Sequence, residues 1–160
     1  MGRILRGIKT FLEEDFDAAG LEPPEDGALL FRYDDGENHE WGCMAVADED
    51  SDQLMFYSVR LEEVPKKRRD AVMRFVTRAN YGMHVGNFEL DLDDGEVRFK
   101  TSIDVEGVEL TTQLCRNLVD MNLAVMGRYF EGLREVAAGN GNPEEIIAEI
   151  EAEDDDEPPS

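Results

Sequence analysis

The run from Gly86 to Ile103 restricts the fold more than any other stretch of this chain. Phe88, Leu90 and Leu92, then Val97, Phe99, Thr101 and Ile103, stand at alternate positions, with Glu89, Asp91, Arg98 and Lys100 between them. Asp94-Gly95 breaks the alternation where a hairpin turn needs a positive φ. The pattern predicts two antiparallel strands with one face in a core and the other in water.

Three further strand-like runs lie upstream: ALLFRY (28–33), EWGCMAVA (40–47) and QLMFYSVRL (53–61), joined by polar turn sequence. A three-stranded antiparallel meander is the simplest arrangement for them. Their alternation is imperfect. Leu29, Phe31 and Tyr33 oppose Leu30; Trp41, Cys43 and Ala45 oppose Met44 and Val46; Leu54 and Phe56 oppose Met55, Tyr57 and Val59. Both faces of this part of the sheet therefore demand cover.

Helical periodicity accounts for the rest. A first helix is expected from about Arg3 to Ala19, with Ile4, Leu5, Ile8, Phe11, Leu12 and Phe16 on one face and Gly20 at its end. Pro65 opens a second, whose apolar stripe is Val72, Phe75, Val76 and Ala79. A long helix runs from Thr111 as N-cap to about Ala138, with Leu114, Leu118, Met121, Val125 and Tyr129 in one row and Val119, Met126, Phe130 and Leu133 widening it. After GNGN, Asn142 caps a short helix that starts at Pro143. The fold class expected is α+β: a five-stranded antiparallel sheet with helices, in the order α-β-β-β-α-β-β-α plus a short C-terminal helix. Residues 1–151 form one domain in this reading, and 152–160 an acidic disordered tail.

Charge narrows the partners. The chain carries 38 acidic and 16 basic residues, a formal net of −22. Phosphate backbones and anionic bilayers would repel it, so neither nucleic acid nor membrane is an expected partner. Nine of the acids fall in 144–160, and residues 1–143 still carry a net of −13. An acidic body rich in Arg and poor in Lys suits a halophilic source, and equally a high-GC genome. Against this background, residues 66–78 hold six basic side chains, of which Lys66, Lys67, Arg74 and Arg78 make a candidate basic patch. Its two readings are a solvated face paired to acidic neighbours and a dock for an acidic segment. The N-terminal sequence lacks the apolar core of a secretory signal, and two cysteines build no disulfide framework, so a cytoplasmic protein is expected.

Catalytic and metal signatures are missing. His39 and Cys43 sit four apart in strand-like sequence, which is not zinc-ligand spacing without a second pair. DLDDGE (91–96) has its glycine one place early for a calcium loop and reads as a hairpin turn. No phosphate loop, nucleophile elbow or dinucleotide fingerprint occurs. Neither enzyme activity nor a cofactor is expected.

The element order and several local motifs resemble the YbjN family, bacterial and archaeal proteins labelled as sensory transduction regulators. The resemblance is carried by Asn80, by Gly86-Asn87-Phe88-Glu89-Leu90-Asp91, by Asp94-Gly95-Glu96-Val97-Arg98-Phe99, by Val108-Glu109-Leu110-Thr111 and by Tyr129-Phe130. It spans roughly residues 3–150, with Thr112 where the family commonly has proline. It implies a fold similar to type III secretion chaperones, which bind partner polypeptides and often form homodimers; fold alone does not decide function.

Surplus apolar surface, on the two-faced strands and the over-wide long helix, points to a protein-binding, chaperone-like or regulatory module that first forms a homodimer. The interface candidates are Met55, Tyr57, Val59, Val72, Phe75, Val76, Met126 and Phe130. The competing monomeric arrangement has the first and last helices covering the second sheet face. The functional alternative is a small-ligand sensor with an apolar pocket between sheet and helices, lined by Trp41, Tyr57 and Phe99.

Overall fold

The computed structural model describes residues 1–155. Five strands form one antiparallel sheet: β1 (Ala28–Asp34), β2 (Glu40–Asp48), β3 (Gln53–Val59), β4 (Asn87–Leu90) and β5 (Val97–Asp104), in the spatial order β1-β2-β3-β5-β4. The helices are α1 (Arg3–Thr10), α2 (Arg69–Asn80), α3 (Thr112–Ala138) and α4 (Pro143–Asp155). This is the expected α+β class and element order. The remainder of the expected acidic tail, 156–160, lies outside the described residues, and the tail's first residues, through Asp155, belong to α4.

α3 organises the interior. Thr111 Oγ1 accepts from the Leu114 N–H at 3.2 Å to start it, and Gly139 at φ +87° ends it. Arg68 reaches its C-terminus, donating from Nε (3.1 Å) and Nη2 (3.0 Å) to the Val136 carbonyl, where a cation is favoured by the helix dipole. Halfway along, Asn122 is fully buried. Its Nδ2 lies 2.9 and 3.1 Å from the Phe56 and Phe99 carbonyls and 3.2 Å from Thr101 Oγ1, and its Oδ1 accepts from Ser58 Oγ at 2.6 Å. Thr101 Oγ1 in turn donates to the Leu118 carbonyl at 2.9 Å. A polar joint thus pins α3 across β3 and β5, and its members partner one another as burial requires.

One core lies between the sheet and the helices. Leu29, Phe31, Trp41, Cys43, Ala45, Leu54, Phe56, Phe88, Val97 and Phe99 enter it from the strands, and residues from all four helices enter from the other side. On α3 the expected Leu118, Val119, Met126, Tyr129 and Leu133 are buried, joined by Cys115 and Asn122, but Met121 is corrected: it is 44% exposed. Leu92, expected on the core face of its strand, is 56% exposed. The turn begins earlier than the alternation suggests, since Gly95 N–H donates to the Asp91 carbonyl (2.8 Å) and Asp91 N–H to the Glu96 carbonyl (2.9 Å).

The first helix is shorter than periodicity predicts. After Thr10 it widens into a π turn over Phe11–Asp15, with the Phe16 N–H bonded to the Phe11 carbonyl at 2.9 Å. Asp17 then adopts φ +56° and ends the segment before Gly20. α1 packs against β2 and α3, and α4 packs on α2 and α3, so neither covers the second face of the sheet.

Candidate interaction surface

The uncovered face carries the opposite side chains of the strands. Leu30 on β1, Met44 and Val46 on β2, and Met55, Tyr57 and Val59 on β3 all point away from the core, and none of them belongs to it. Leu30 is 40% exposed, and Leu61, just past β3, is 50% exposed and packs over Gly42. Beside them a groove of about 700 Å³ is lined by Leu30, Gly42, Met44, Val59 and Leu61, with Arg32, Arg60, Glu63 and Glu96 among its polar walls. Antiparallel sheets commonly leave one face wet, but that face is then polar. Here its middle is apolar.

The rim of this face carries several ion pairs, with Asp34, Asp48, Glu63 and Asp104 as further acids around it. Arg98 stacks over the Tyr57 ring, 4.3 Å from its centre, which is why Tyr57 is nearly buried on an open face. Glu89 faces Arg98 Nε at 3.3 Å and Lys100 Nζ at 3.6 Å, and Arg98 also approaches Glu96 at 4.0 Å. Arg32 pairs with Glu40 at 2.9 Å, and Arg60 with Glu62 at 3.5 Å. Burial lowers the Arg60 guanidinium below its usual range, against the pull of Glu62. Four cations meet four carboxylates, on a chain whose net charge is −22.

The sheet's edges are closed in two different ways. The Asn80 side chain acts as a substitute strand beside β4: its Oδ1 accepts from the Phe88 N–H (2.6 Å) and its Nδ2 donates to the Phe88 carbonyl (3.1 Å). Beside β1, Glu25 and Ala28 exchange backbone hydrogen bonds, and the Glu22 N–H donates to the Leu30 carbonyl at 2.9 Å.

The sequence-predicted interface residues separate. Met55, Tyr57 and Val59 lie together on the open face. Val72, Phe75, Val76 and Met126 are buried in the core of the same chain, where α2 and α3 use them against each other and the sheet, so they are not surface residues. Phe130 is half-buried and lies between His39 (ring centres 4.6 Å apart) and Trp41 (5.5 Å). Leu30, Met44, Val46 and Leu61 complete the open face. The two-sided apolar pattern of β1 and β2 marked the first three, and Leu61 continues the alternation of Met55, Tyr57 and Val59 at the end of the 53–61 run.

Of the basic residues in 66–78, Arg68 is spent on α3, and Arg69 on the carbonyls of Val64 (3.1 Å), Leu92 (3.0 Å) and Asp93 (3.2 Å). Lys66, Lys67, Arg74 and Arg78 remain at the surface. The three aromatics expected to line a ligand pocket do not share one: Trp41 and Phe99 are fully buried toward the helices, and Tyr57 points the other way.

Two clusters of reactive groups are structural in their setting. Burial pushes the Cys43 thiol up to about 12 and Cys115 to about 11, well away from nucleophile chemistry. His39 Nδ1 meets Asp35 Oδ2 at 2.8 Å and its Nε2 lies 3.5 Å from Glu131, tying the β1–β2 turn to α3. Burial tends to raise the Asp35 carboxyl, but hydrogen bonds from the Glu37 and His39 N–H groups and the His39 ring outweigh it and hold the group below its ordinary value. Tyr33, close by, is raised by burial and then by Asp35. Among the described residues no helix is long and apolar enough to cross a membrane.

The YbjN family, described as "Putative bacterial sensory transduction regulator", matches residues 10–135. No curated protein matches the chain. A solved structure described as "Structure of the HopA1-SchA Chaperone-Effector Complex" is similar over 81% of this chain and 91% of its own, at 14% identity and a TM-score of 0.47.

Proposed function

The chain belongs to the YbjN family, and from its uncovered apolar sheet face we propose a non-enzymatic, protein-binding regulatory module whose first partner is a second copy of itself. The observation that carries this reading is the face built by Leu30, Met44, Val46, Met55, Tyr57 and Val59, which no helix among the described residues covers. Five strands spaced ~4.8 Å apart, with about seven residues at ~3.4 Å each, make a face roughly 24 Å square. That is of the order of the ~800 Å² that each partner contributes to a standard interface.

Ion pairs on this face temper the repulsion between two copies. Two chains of −22 repel one another across most of their surfaces, and like charges brought together at an interface are costly. On this face Arg32, Arg60, Arg98 and Lys100 each meet a carboxylate, which lowers that penalty, although Asp34, Asp48, Glu63 and Asp104 add further acids around it. Capture of another polypeptide on the same face is the chaperone-like form of the same function.

The test is light scattering on the full chain across a concentration series at fixed salt. Twice the chain mass is expected for the wild type, and Met55→Asp/Val59→Asp should return it to a single-chain mass while circular dichroism stays unchanged. A wild-type protein that remains a single chain at high concentration would remove the self-association reading. Failure of the wild-type monomer to protect this face from labelling in the presence of any polypeptide ligand would remove the broader one.

A further inference from the structure

We propose that two copies meet about a two-fold axis running across the strands, so that Asp48 and Asp104 of each copy come against Arg32 and Arg98 of the other. This orientation rests on the self-association through the sheet face and gives it a direction.

Strand register lays the open face out as rungs. One end rung carries Arg32 on β1, Gly42 on β2, Val59 on β3 and Arg98 on β5. The opposite end rung carries Asp48, Gln53 and Asp104 on β2, β3 and β5. Between them lie two rungs that are apolar at their centre, Met44 beside Tyr57 and Val46 beside Met55. On the outer strands, Leu30 and Lys100 share the first of these two rungs, and Ala28 and Ser102 the second.

The two ends differ in charge. The first mixes Arg32, Arg98 and Lys100 with Asp34, Glu63 and the carboxylates that those cations pair with. At the other end Asp48 Oδ1 accepts from the Asp50 and Ser51 N–H groups at 3.1 Å each, and Asp104 Oδ1 from the Glu106 N–H at 2.9 Å. No cation pairs with either carboxylate among the described residues. The guanidiniums have capacity to spare. Arg98 engages Glu89 through Nε and Glu96 through Nη1, and Arg32 engages Glu40 through Nη1, which leaves Nη2 of each for a further carboxylate.

Aligned packing of two sheets offers two ways to set the axis. An axis along the strands, between β2 and β3, keeps like ends together. Asp48 and Asp104 then gather with their own copies, Arg32 faces Arg98, and Leu30 faces Lys100. Like charges juxtaposed in this way are costly. An axis across the strands, through the midpoint of β3 and β5, reverses the ends. Met44 then lies over Val46 of the second copy, Tyr57 over Met55, and Leu30 over Ala28. Asp104 comes over Arg98, and Asp48 comes over Gly42 beside Arg32. The apolar centre is served by either axis; the charged ends are served only by the second.

The test uses the full chain at about 0.15 M salt, where charges more than about 8 Å apart are largely screened. Chains carrying Met44→Cys are mixed with chains carrying Val46→Cys and oxidised with diamide. The 44–46 disulfide should exceed the 44–57 product of Met44→Cys with Tyr57→Cys, which an axis along the strands would favour. The wild type, with Cys43 and Cys115 buried, should give no linked product. Independently, Asp48→Asn/Asp104→Asn keeps the Oδ1 acceptors and removes the charges. It should raise the dimer dissociation constant about 5–30-fold, the worth of four exposed ion pairs. Under the other axis the same variant would relieve gathered acids and tighten the dimer. A wild type that stays a single chain at every concentration removes this orientation together with the self-association. A dimer that links 44 to 57, or one that the asparagine variant leaves unchanged or tightens, overturns the orientation alone. If the asparagine variant is unfolded, the disulfide pattern decides.

Discussion

Replacing Asn122 with leucine isolates the joint between α3 and the sheet. Leucine has the same branching and the same number of side-chain heavy atoms, so the perturbation is chiefly the loss of polarity. Ser58 Oγ, fully buried, loses the acceptor that lies 2.6 Å away. An orphaned buried hydroxyl costs about 1–3 kcal/mol, and the lost donations to the Phe56 and Phe99 carbonyls about 0.5–1.5 kcal/mol each. The destabilisation should total about 3 kcal/mol, against a whole-domain stability of about 5–15 kcal/mol. With a urea m-value near 2 kcal/mol/M, the unfolding midpoint falls by about 1.5 M. Trp41 is the single tryptophan and is fully buried in the core, so its fluorescence reports the transition. The decisive arm is Asn122→Leu/Ser58→Ala. Removing the Ser58 hydroxyl as well leaves only the losses at the Phe56 and Phe99 carbonyls, so the double variant should recover about 1–2 kcal/mol relative to Asn122→Leu. A midpoint within about 0.3 M of wild type for the single variant, or a double variant no more stable than it, would refute the reasoning.

Three other outcomes follow from the same geometry. With Cys43 pushed up to about 12, only about one thiol in ten thousand is ionised at pH 8; iodoacetamide should label neither cysteine in the native protein and both after denaturation, and rapid native labelling would contradict the burial. Asn80→Ala removes both bonds to Phe88 and should lower stability by about 1–2 kcal/mol, with the Phe88 amide exchanging faster than its neighbours in β5; unchanged exchange would mean the Asn80 contacts are idle. Because the folded Asp35 carboxyl sits below its ordinary 3.8, its contribution is present above that pH and disappears as pH falls through the folded value; Asp35→Asn should therefore be less stable than wild type at pH 7, and the two melting curves should converge at the acid end.

How much of this was legible in the sequence depends on which physical term decided each element. The Phe88–Ile103 hairpin and the span of α3 were readable because burial on one side imposes a period that composition cannot imitate. Asn122 was not, since a polar residue inside a helical pattern reads as part of the wet stripe; only the strands opposite reveal its three acceptors. The demand of β1–β3 for cover on both faces was readable from Leu30, Met44, Val46, Met55, Tyr57 and Val59. Which helices would supply it was a question of topology. α4 follows α3 after a four-residue tether and therefore stays on the same side. Val72, Phe75, Val76 and Met126 illustrate the same limit, because an apolar stripe looks alike whether it meets its own chain or another. The π turn after Thr10 escaped notice because the apolar positions Phe11 and Phe16 also fit an ordinary helical face.

The Asn80 clasp on β4 and the folded-back segment at Glu22–Glu25 have a consequence for stoichiometry. Addition at a strand edge regenerates an edge, so it has no natural end and leads toward fibres. Contact through a sheet face consumes both faces in a single event and leaves nothing to extend. With its sides capped by an amide and a stretch of its own backbone, the proposed pairing of two sheet faces would be a terminating step. An assembly of that kind would be finite and countable, and a substitution at Asn80 would threaten that limit on size as well as the stability of one strand.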